Sequence, residues 1–265
     1  MKERYHNTFT WELLREEAVE VARNEPTLKN LLDSQILKHP DFDHALAMLL
    51  ANPCIFVHED LNLYQTIIEV FENDKTIVDY AICDLTAVVE KDPATETFLE
   101  VFLFFKGYHS LELYRIAHKL WLDGKRYLAY YIQSRVSQLY GVDIHPSAQI
   151  GKGTFIDHAT GLVVGETAII EDNVSILHGV TLGGTGKQSG KRHPTIRKNC
   201  LLGANATVLG NIVVGESSVI GAGSVVLHTV PAHSLAAGVP AVNKGNISIL
   251  EPSNSMDQIF DDYII

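Results

Sequence analysis

Hydrophobic positions in the first 140 residues recur at helical spacing. Trp11, Leu14, Ala18 and Val21 follow one another at intervals of three and four, and glutamates lie between them. Further helices are predicted over 28–38, 41–51, 62–73, 75–90 and 95–105, and a longer helix over 110–140, broken or bent near Asp123-Gly124. This part of the chain is therefore expected to be all-helical.

After residue 140 the pattern changes to a repeat of six. The repeat is marked by aliphatic residues at Ile144, Ile150, Ile156, Val164, Ile170, Ile176, Leu182, Ile196, Leu202, Val208, Val214, Ile220 and Val226. A period of six is too short for a helical repeat and does not fit the simple alternation of a strand. It predicts a solenoid with three short sides and 18 residues in each coil.

Two insertions interrupt this repeat. Ile156 and Val164 are eight residues apart, and Leu182 and Ile196 are fourteen apart. The second insertion predicts a loop, 183–195, that leaves the coil. Five of the seven basic residues after residue 140 lie in or just beyond it, namely Lys187, Lys191, Arg192, Arg197 and Lys198. A glycine-rich basic loop in an acidic protein indicates a site for an anionic ligand.

Composition supports three regions and excludes several functions. Seventeen of the 19 glycines follow residue 140, and we expect a helical domain over 1–140, a β-helix over 141–245 and a tail over 246–265. The formal net charge of -11 argues against nucleic-acid binding. The apolar runs are too short to span a membrane, and no secretory signal is recognisable. Three cysteines without a paired motif fit a reduced cytoplasm.

Histidines at the two insertions are the candidates for catalysis. His158 follows Asp157 at the first insertion, and His193 follows Arg192 in the loop. A histidine whose second ring nitrogen faces a carboxylate is a suitable general base. Asp143, fifteen residues before His158, and Asp157 are both possible partners, and their spacing does not choose between them.

The motifs resemble one acyltransferase family over most of the chain. The segments concerned are Ala81-Ile-Cys-Asp-Leu-Thr-Ala-Val, Asp92-Pro-Ala, Lys106-Gly-Tyr-His-Ser-Leu-Glu-Leu-Tyr-Arg-Ile, Asp143-Ile-His-Pro, Asp157-His-Ala-Thr-Gly, Val164-Gly-Glu-Thr-Ala, Thr181-Leu-Gly-Gly-Thr-Gly-Lys, Arg192-His-Pro and Ala237-Gly-Val-Pro-Ala. Residues 141–242 resemble the hexapeptide-repeat acyltransferases, and the whole, roughly 8 to 245, resembles the serine O-acetyltransferases. The resemblance implies an α+β chain in which an all-helical domain precedes a left-handed parallel β-helix with an extruded loop and a C-terminal tail.

The resemblance also implies a reaction and its residues. Acetyl-CoA and L-serine would give O-acetyl-L-serine and CoA in cysteine biosynthesis, with His158 as general base, Asp143 as its orienting carboxylate and a backbone N–H near Gly184 stabilising the oxyanion. Arg192 and His193 would bind the serine carboxylate. Asp92 and Asp157 would bind its ammonium group.

Further family properties concern the cosubstrate and partners. CoA would lie along the coils near Gly184, Ala204 and Ala222. The family commonly has a basic residue at the position that Val242 occupies here, and Lys244 would take over its role. No metal is expected. The family forms trimers, or dimers of trimers, and is inhibited by L-cysteine. A C-terminal isoleucine, here Ile265, enters the active site of O-acetylserine sulfhydrylase.

Three other functions agree less well with the sequence. An acetyltransferase for a sugar or antibiotic hydroxyl is disfavoured by Asp92-Pro-Ala and the helical half. A scaffold that only regulates the sulfhydrylase is disfavoured by the presence of His158, Asp143 and Arg192. A zinc enzyme of the γ-carbonic anhydrase type needs three converging histidines, and His145, His158 and His178 have no evident ligand spacing.

Overall fold

The protein consists of helices followed by a three-sided parallel β-helix. A computed structural model describes residues 8–55, 61–186, 189–260 and 263–264. The helices are α1 Trp11–Asn24, α2 Lys29–Leu32 with a π-helical turn Asp33–Leu37, α3 Phe42–Ile55, α4 Leu63–Asn73, α5 Thr76–Lys91, α6 Phe98–Phe104, α7 Lys106–Leu122, α8 Arg126–Tyr140 and α9 Pro252–Ser255.

Strands of two to six residues form the three faces. They are β1 Asp143–Ile144, β2 Gln149–Ile150, β3 Phe155–Ile156, β4 Val163–Val164, β5 Ile169–Ile170, β6 Ser175–Ile176, β7 Thr181–Gly183, β8 Thr195–Ile196, β9 Leu201–Leu202, β10 Thr207–Leu209, β11 Val213–Val214, β12 Val219–Ile220, β13 Val225–Val226, β14 Ser234–Gly238 and β15 Ala241–Asn246, with a separate hairpin of β16 Ile259–Phe260 and β17 Tyr263–Ile264. Sheet A is β1-β4-β7-β10-β13, sheet B is β2-β5-β8-β11 and sheet C is β3-β6-β9-β12-β14-β15. Only β15 joins its sheet antiparallel.

The predicted six-residue repeat determines the core of the β-helix. All thirteen aliphatic positions are buried, and none is more than 9% exposed. The repeat length varies as the insertions require: Asp143 pairs with Val163 twenty residues later, whereas Val163 pairs with Thr181 after eighteen. The prediction of an all-helical part followed by a parallel β-helix is confirmed.

The break or bend predicted near Asp123-Gly124 in the helix over 110–140 is present, because α7 ends at Leu122 and α8 begins at Arg126. The first of these helices begins four residues earlier than predicted, at Lys106. Gly124 has φ +78°, a left-handed conformation that a glycine adopts without steric cost, so the chain reverses there. The residues over 28–38 are also less regular than predicted and combine 3₁₀, α and π turns.

Polar side chains from α5 and α7 join the helices to the first coil. Arg115 is 5% exposed and donates from Nε to Asp84 Oδ2 at 2.8 Å, and also to the carbonyls of Ile150 and Gly151. Asp84 is fully buried, and its other oxygen accepts from the Thr154 N–H at 2.8 Å. These bonds satisfy backbone groups of a coil that has no preceding coil to pair with.

Glu112 is a second buried acid in this junction. It is 1% exposed and lies 3.6 Å from Arg115 Nε, and neither of its oxygens accepts a hydrogen bond within the described chain. Burial and the nearby Asp84 carboxylate raise the pKa of Glu112 well above its usual value. Burial raises the pKa of Asp84 as well, but Asp84 has the guanidinium contact. The shared proton therefore resides on Glu112.

The segment after β15 packs against the body of the protein. Ile247 and Met256 cover an apolar strip on the outside of sheet C that consists of Leu177, Leu201, Val219 and Leu235. Ser175 Oγ donates to the Ser253 carbonyl at 2.8 Å. In the described residues no helix is both long and apolar enough to cross a membrane.

We expect Glu112→Gln to change how stability depends on pH. A carboxyl whose pKa is raised by folding stabilises the fold fully below its unfolded value of 4.5, and this stabilisation is lost as pH rises towards the folded value. The neutral amide removes that loss. The unfolding free energy of the variant relative to the wild type, measured in urea, should therefore rise as the pH increases above 4.5, by up to about 1.4 kcal/mol per pH unit. A difference independent of pH would contradict a protonated Glu112.

Candidate active site

The candidate residues lie along two edges of sheet A. Each coil passes from sheet C to sheet A and then to sheet B. We call the corner line between sheets C and A the first edge; it contains 157–162, 177–180, 203–206 and 221–224. The line between sheets A and B is the second edge and contains 145–148, 165–168, 184–186, 189–194 and 210–212.

His158 lies at the first edge with its ring open to solvent. Its side chain is 75% exposed, and Nε2 lies 3.7 Å from Asp157 Oδ2. The His178 ring lies one coil further, with centroids 5.9 Å apart. His158 and Ala159 both have positive φ, +55° and +58°. Non-glycine residues rarely adopt this conformation, and strain of this kind occurs often at functional sites.

Two carboxylates flank His158. Asp157 is half-buried, and its pKa is raised chiefly by burial, which the nearby imidazole of His158 opposes and the Asp92 carboxylate reinforces. Asp92 follows α5 directly, and its Oδ1 accepts from the Ala94 N–H at 2.8 Å. The first edge thus has an anionic pocket to which the helical half contributes one of two acids.

The helical half approaches this corner closely. Gly107 is in the first turn of α7, and a Cβ added to it would lie 2.0 Å from the Ile156 carbonyl oxygen. The neighbouring Lys106 donates from Nζ to Thr160 Oγ1. Helix α7 therefore lies against the strand and the corner that present Asp157 and His158.

Arg192 and His193 lie at the second edge and are held by one threonine. Thr167 Oγ1 accepts from the backbone N–H groups of Arg192 and His193 at 3.0 and 3.1 Å. Arg192 also donates from Nη2 to Glu166 Oε2. The base of the extruded loop is thereby fixed to the coil below it.

The contacts of His193 define its tautomer. Its Nδ1 accepts from the Thr167 N–H at 3.2 Å and lies 2.9 Å from Thr167 Oγ1. The other nitrogen, Nε2, therefore carries the proton and is a donor. The ring lies directly over Gly165, where a Cβ would come within 2.1 Å of Nε2. Burial and the adjacent Arg192 charge lower the pKa of His193, so it is neutral at pH 7.

Asp143 is not in contact with His158 of the same chain. It lies on the outer face of sheet A, between the two edges, and Oδ1 accepts from Gln133 Nε2 at 2.7 Å. His145, two residues later, contacts the aromatic rings of Trp121 and Tyr130 at 5.2 and 5.8 Å between centroids. The acid nearest to His158 in one chain is Asp157.

The residues expected to contact CoA are also divided between the two edges. Ala204 and Ala222 lie on successive coils of the first edge, beyond His158 and His178, and the Gly223 N–H donates to the Ala204 carbonyl at 2.7 Å. Gly184 lies at the second edge, beside Arg192 and His193. Lys244 is exposed on β15. Lys187 and Ile265 lie outside the described residues.

Several contributing residues were not predicted. Thr167 and Gly165 belong to the Val164-Gly-Glu-Thr motif, which was recognised without a role for its members. Gly107 stands inside a helix, where glycine is unfavourable by about 1 kcal/mol relative to alanine, and this was an available signal of close packing. The split between two edges was not predicted from spacing.

The three-sided β-helix is built on a six-residue repeat, and comparison with family models identifies the class to which it belongs. Residues 193–228 match the family model of bacterial transferase hexapeptide repeats, and residues 10–113 match the model of the serine acetyltransferase N-terminal region. The serine acetyltransferase of Haemophilus influenzae is 47% identical over 251 residues, which are 94% of each chain.

Solved structures agree with these matches. A serine acetyltransferase in complex with cysteine superposes with a TM-score of 0.92 at 47% identity, over 94% of this chain and 98% of that chain. Serine acetyltransferase from Brucella abortus strain S19 in complex with coenzyme A has a TM-score of 0.87 at 47% identity, over 90% and 96%. This chain belongs to the serine acetyltransferase family.

We expect Gly107→Ala to impair both stability and catalysis. The methyl group cannot fit against the Ile156 carbonyl, so α7 must move away from β3, at about 1–3 kcal/mol for such overpacking. Thermal unfolding should occur at lower temperature, and acetyl transfer should fall because Asp157 and His158 shift.

Gly124→Ala is a suitable control for this variant. Gly124 has no atom within 4 Å of an added Cβ and lies in the α7–α8 turn, so it is strained only by its φ of +78°. It should lower stability with little change in turnover. Equal turnover in the two variants, after correction for folded protein, would contradict a role of Gly107 in shaping the site.

Proposed function

We propose that the protein transfers the acetyl group of acetyl-CoA to the hydroxyl of L-serine, in cysteine biosynthesis in the cytoplasm. The proposal is carried by one observation: in a member of this family, one edge of sheet A has an exposed imidazole beside two acids, and the other edge has an arginine-histidine pair. An amino acid is a zwitterion, and these two groups match its two charges.

His158 is the general base in this mechanism. Its Nε2 takes the proton of the serine hydroxyl as the oxygen attacks the thioester carbonyl of acetyl-CoA. A backbone N–H near Gly184 donates to the oxyanion of the tetrahedral intermediate. Collapse of the intermediate breaks the C–S bond, and the imidazolium returns its proton to the CoA sulfur. Such a base contributes about 10²–10⁴-fold to the rate.

The charged groups bind the amino acid at its two ends. Asp92 and Asp157 bind the ammonium group. Arg192, oriented by Glu166, binds the carboxylate through its planar fork, and His193 donates from Nε2. L-cysteine differs from L-serine only in sulfur for oxygen, so it occupies the same pocket and inhibits. A relative has been solved with cysteine bound.

Acetyl-CoA is the cosubstrate, and a relative has been solved with coenzyme A. Ala204 and Ala222 leave the backbone of the first edge accessible to the pantetheine arm. Lys244, on the exposed face of β15, binds the nucleotide phosphates and takes the role of the basic residue that the family has at the position of Val242. The chemistry proposed here needs no metal.

The site is completed by a second subunit. The anionic pocket and His158 lie at the first edge, whereas Arg192 and His193 lie at the second, with a strand of sheet A between them. In a trimer of parallel β-helices, the first edge of one subunit faces the second edge of the next. Asp143, on the outer face of sheet A, then orients the His158 of the neighbouring subunit. Two such trimers join through their helical domains.

The tail provides a further partner contact. Ile265 would place its carboxylate in the amino-acid site of O-acetylserine sulfhydrylase, as a mimic of that enzyme's substrate. This contact is independent of the acetyl-transfer site.

His158→Ala tests the function and the base together. We expect CoA release from acetyl-CoA, followed with a thiol reagent, to depend on L-serine in the wild type and to fall by about 10²–10⁴-fold in the variant. If the folded wild type releases CoA with another hydroxyl compound but not with L-serine, that compound replaces serine as the acceptor.

Mixed oligomers test the shared site. His158→Ala and Arg192→Ala should each be almost inactive, because each lacks one half of every site. Differently tagged copies, coexpressed and purified through both tags, should recover about a quarter to a third of wild-type turnover, since some neighbouring pairs have both intact halves.

The same two variants mixed after purification are the control. They should remain inactive as long as the subunits do not exchange. Coexpressed heteromers with no more activity than the single variants would show that each site lies within one chain. His158→Ala coexpressed with Asp143→Ala should also recover if Asp143 acts on the neighbouring subunit.

A further inference from the structure

Lys91 is a buried cation next to the active site. It is the last residue of α5 and is 5% exposed, and its Nζ donates to the Gly153 carbonyl at 3.0 Å. The mechanism above does not use it. Taking an ammonium group out of water is costly, and an apolar side chain of similar size would often be more stable there.

The charged groups around Lys91 explain why it remains a cation. Asp84, Glu90 and Glu251 face it and favour its protonated form. Burial has the largest influence and lowers the pKa of Lys91 to about 8. At pH 7 the side chain is therefore mostly a charged donor, with acids on its own helix and at the start of α9.

Helix α5 is attached to the first coil at two points. Lys91 binds the carbonyl of Gly153, and Asp84, seven residues earlier on α5, accepts from the N–H of Thr154 at 2.8 Å. The two contacts lie two turns apart on one helix face and reach consecutive residues. Together they attach the middle and the C-terminal end of α5 to the peptide group between Gly153 and Thr154.

These contacts connect the two acids of the pocket. Asp92 follows Lys91 directly, at the point where the chain leaves α5. Residues 153–154 lead into β3, which ends one residue before Asp157. Asp92 and Asp157 are close enough for the Asp92 carboxylate to raise the pKa of Asp157. The bond from Lys91 thus connects the residue before Asp92 to the segment that leads to Asp157.

We propose that Lys91 is a positioning residue: its hydrogen bond to Gly153 holds Asp92 against Asp157 and thereby sets the affinity for the ammonium group of the amino-acid substrate. This inference rests on the ammonium-binding role proposed above for Asp92. Lys91 itself contacts no substrate. Its effect should therefore be specific to the amino acid and should depend on Asp92.

The test compares steady-state kinetics of three variants with the wild type. Lys91→Met removes the donor but keeps the length, and it should raise KM for L-serine about tenfold to a hundredfold while leaving KM for acetyl-CoA nearly unchanged. Lys91→Arg keeps a cationic donor and should restore part of the loss. Lys75→Met is the matched control, because Lys75 lies at the other end of α5 and is exposed. It should have no effect on either KM.

A double-mutant cycle distinguishes positioning from general damage. Asp92→Asn should raise KM for serine, and adding Lys91→Met should raise it less than about twofold further, since Lys91 acts through Asp92. Equal effects of Lys91→Met with and without Asp92 would overturn the proposal. A lower kcat with an unchanged serine KM would do the same.

Failure of the proposed function is visible separately. A wild type without serine-dependent CoA release overturns that function, and this inference with it, before any variant is compared. Should Lys91→Met fail to fold, Lys91→Gln, whose side chain is shorter and carries no charge, takes its place. An unchanged serine KM in whichever of the two variants folds would leave Lys91 with only a structural role and overturn the proposal.

Discussion

The open end of the β-helix is the constraint on which the structure depends. A coil in a solenoid is hydrogen-bonded by the coils on both sides, but the first coil has a neighbour on one side only. Here the helical half supplies the missing partners: Arg115 donates to Ile150 and Gly151, His118 lies within hydrogen-bond distance of the Pro146 carbonyl and Tyr114 donates to that of Ala148. The helices therefore cap the solenoid, and the two halves fold against each other.

This cap also explains why an acid of the helical half reaches the candidate active site. The first coil carries His158 at its end, and the side chains that satisfy its backbone come from α5 and α7. The same helices therefore deliver Asp92 and Gly107 to that corner. A buried unit of Asp84, Arg115 and protonated Glu112 holds the junction, and such units contribute more to a defined arrangement than to stability.

The sequence was sufficient for the fold and for the kinds of residue in the site, but not for their arrangement. The six-residue repeat identified thirteen inward positions, because burial in a narrow prism depends on the local repeat, but it did not identify the smaller buried residues two places earlier, such as Ala148 and Ala168. It did not show which corner each histidine occupies, because that depends on the cumulative length of the insertions. Two residues added near Gly161 make the first repeat twenty residues long, which aligns His158 with His178 and Asp143 with Val163. The break near Gly124 could be predicted from the sequence, whereas the start of α7 at Lys106, four residues before Ser110, could not.

The size of the substrate makes assembly part of the proposed mechanism. The ammonium and carboxylate groups of an amino acid are attached to one carbon, so the acids and the arginine that bind them must approach to within a few ångströms of that carbon. In a single chain the anionic pocket and Arg192 occupy opposite edges of sheet A. In the proposed mechanism each edge alone would bind one charge, and would bind simple amines or carboxylates weakly. Both charges and the general base would surround one hydroxyl only where the edges of two subunits meet, so the same contact would give selectivity for the amino acid and position the base.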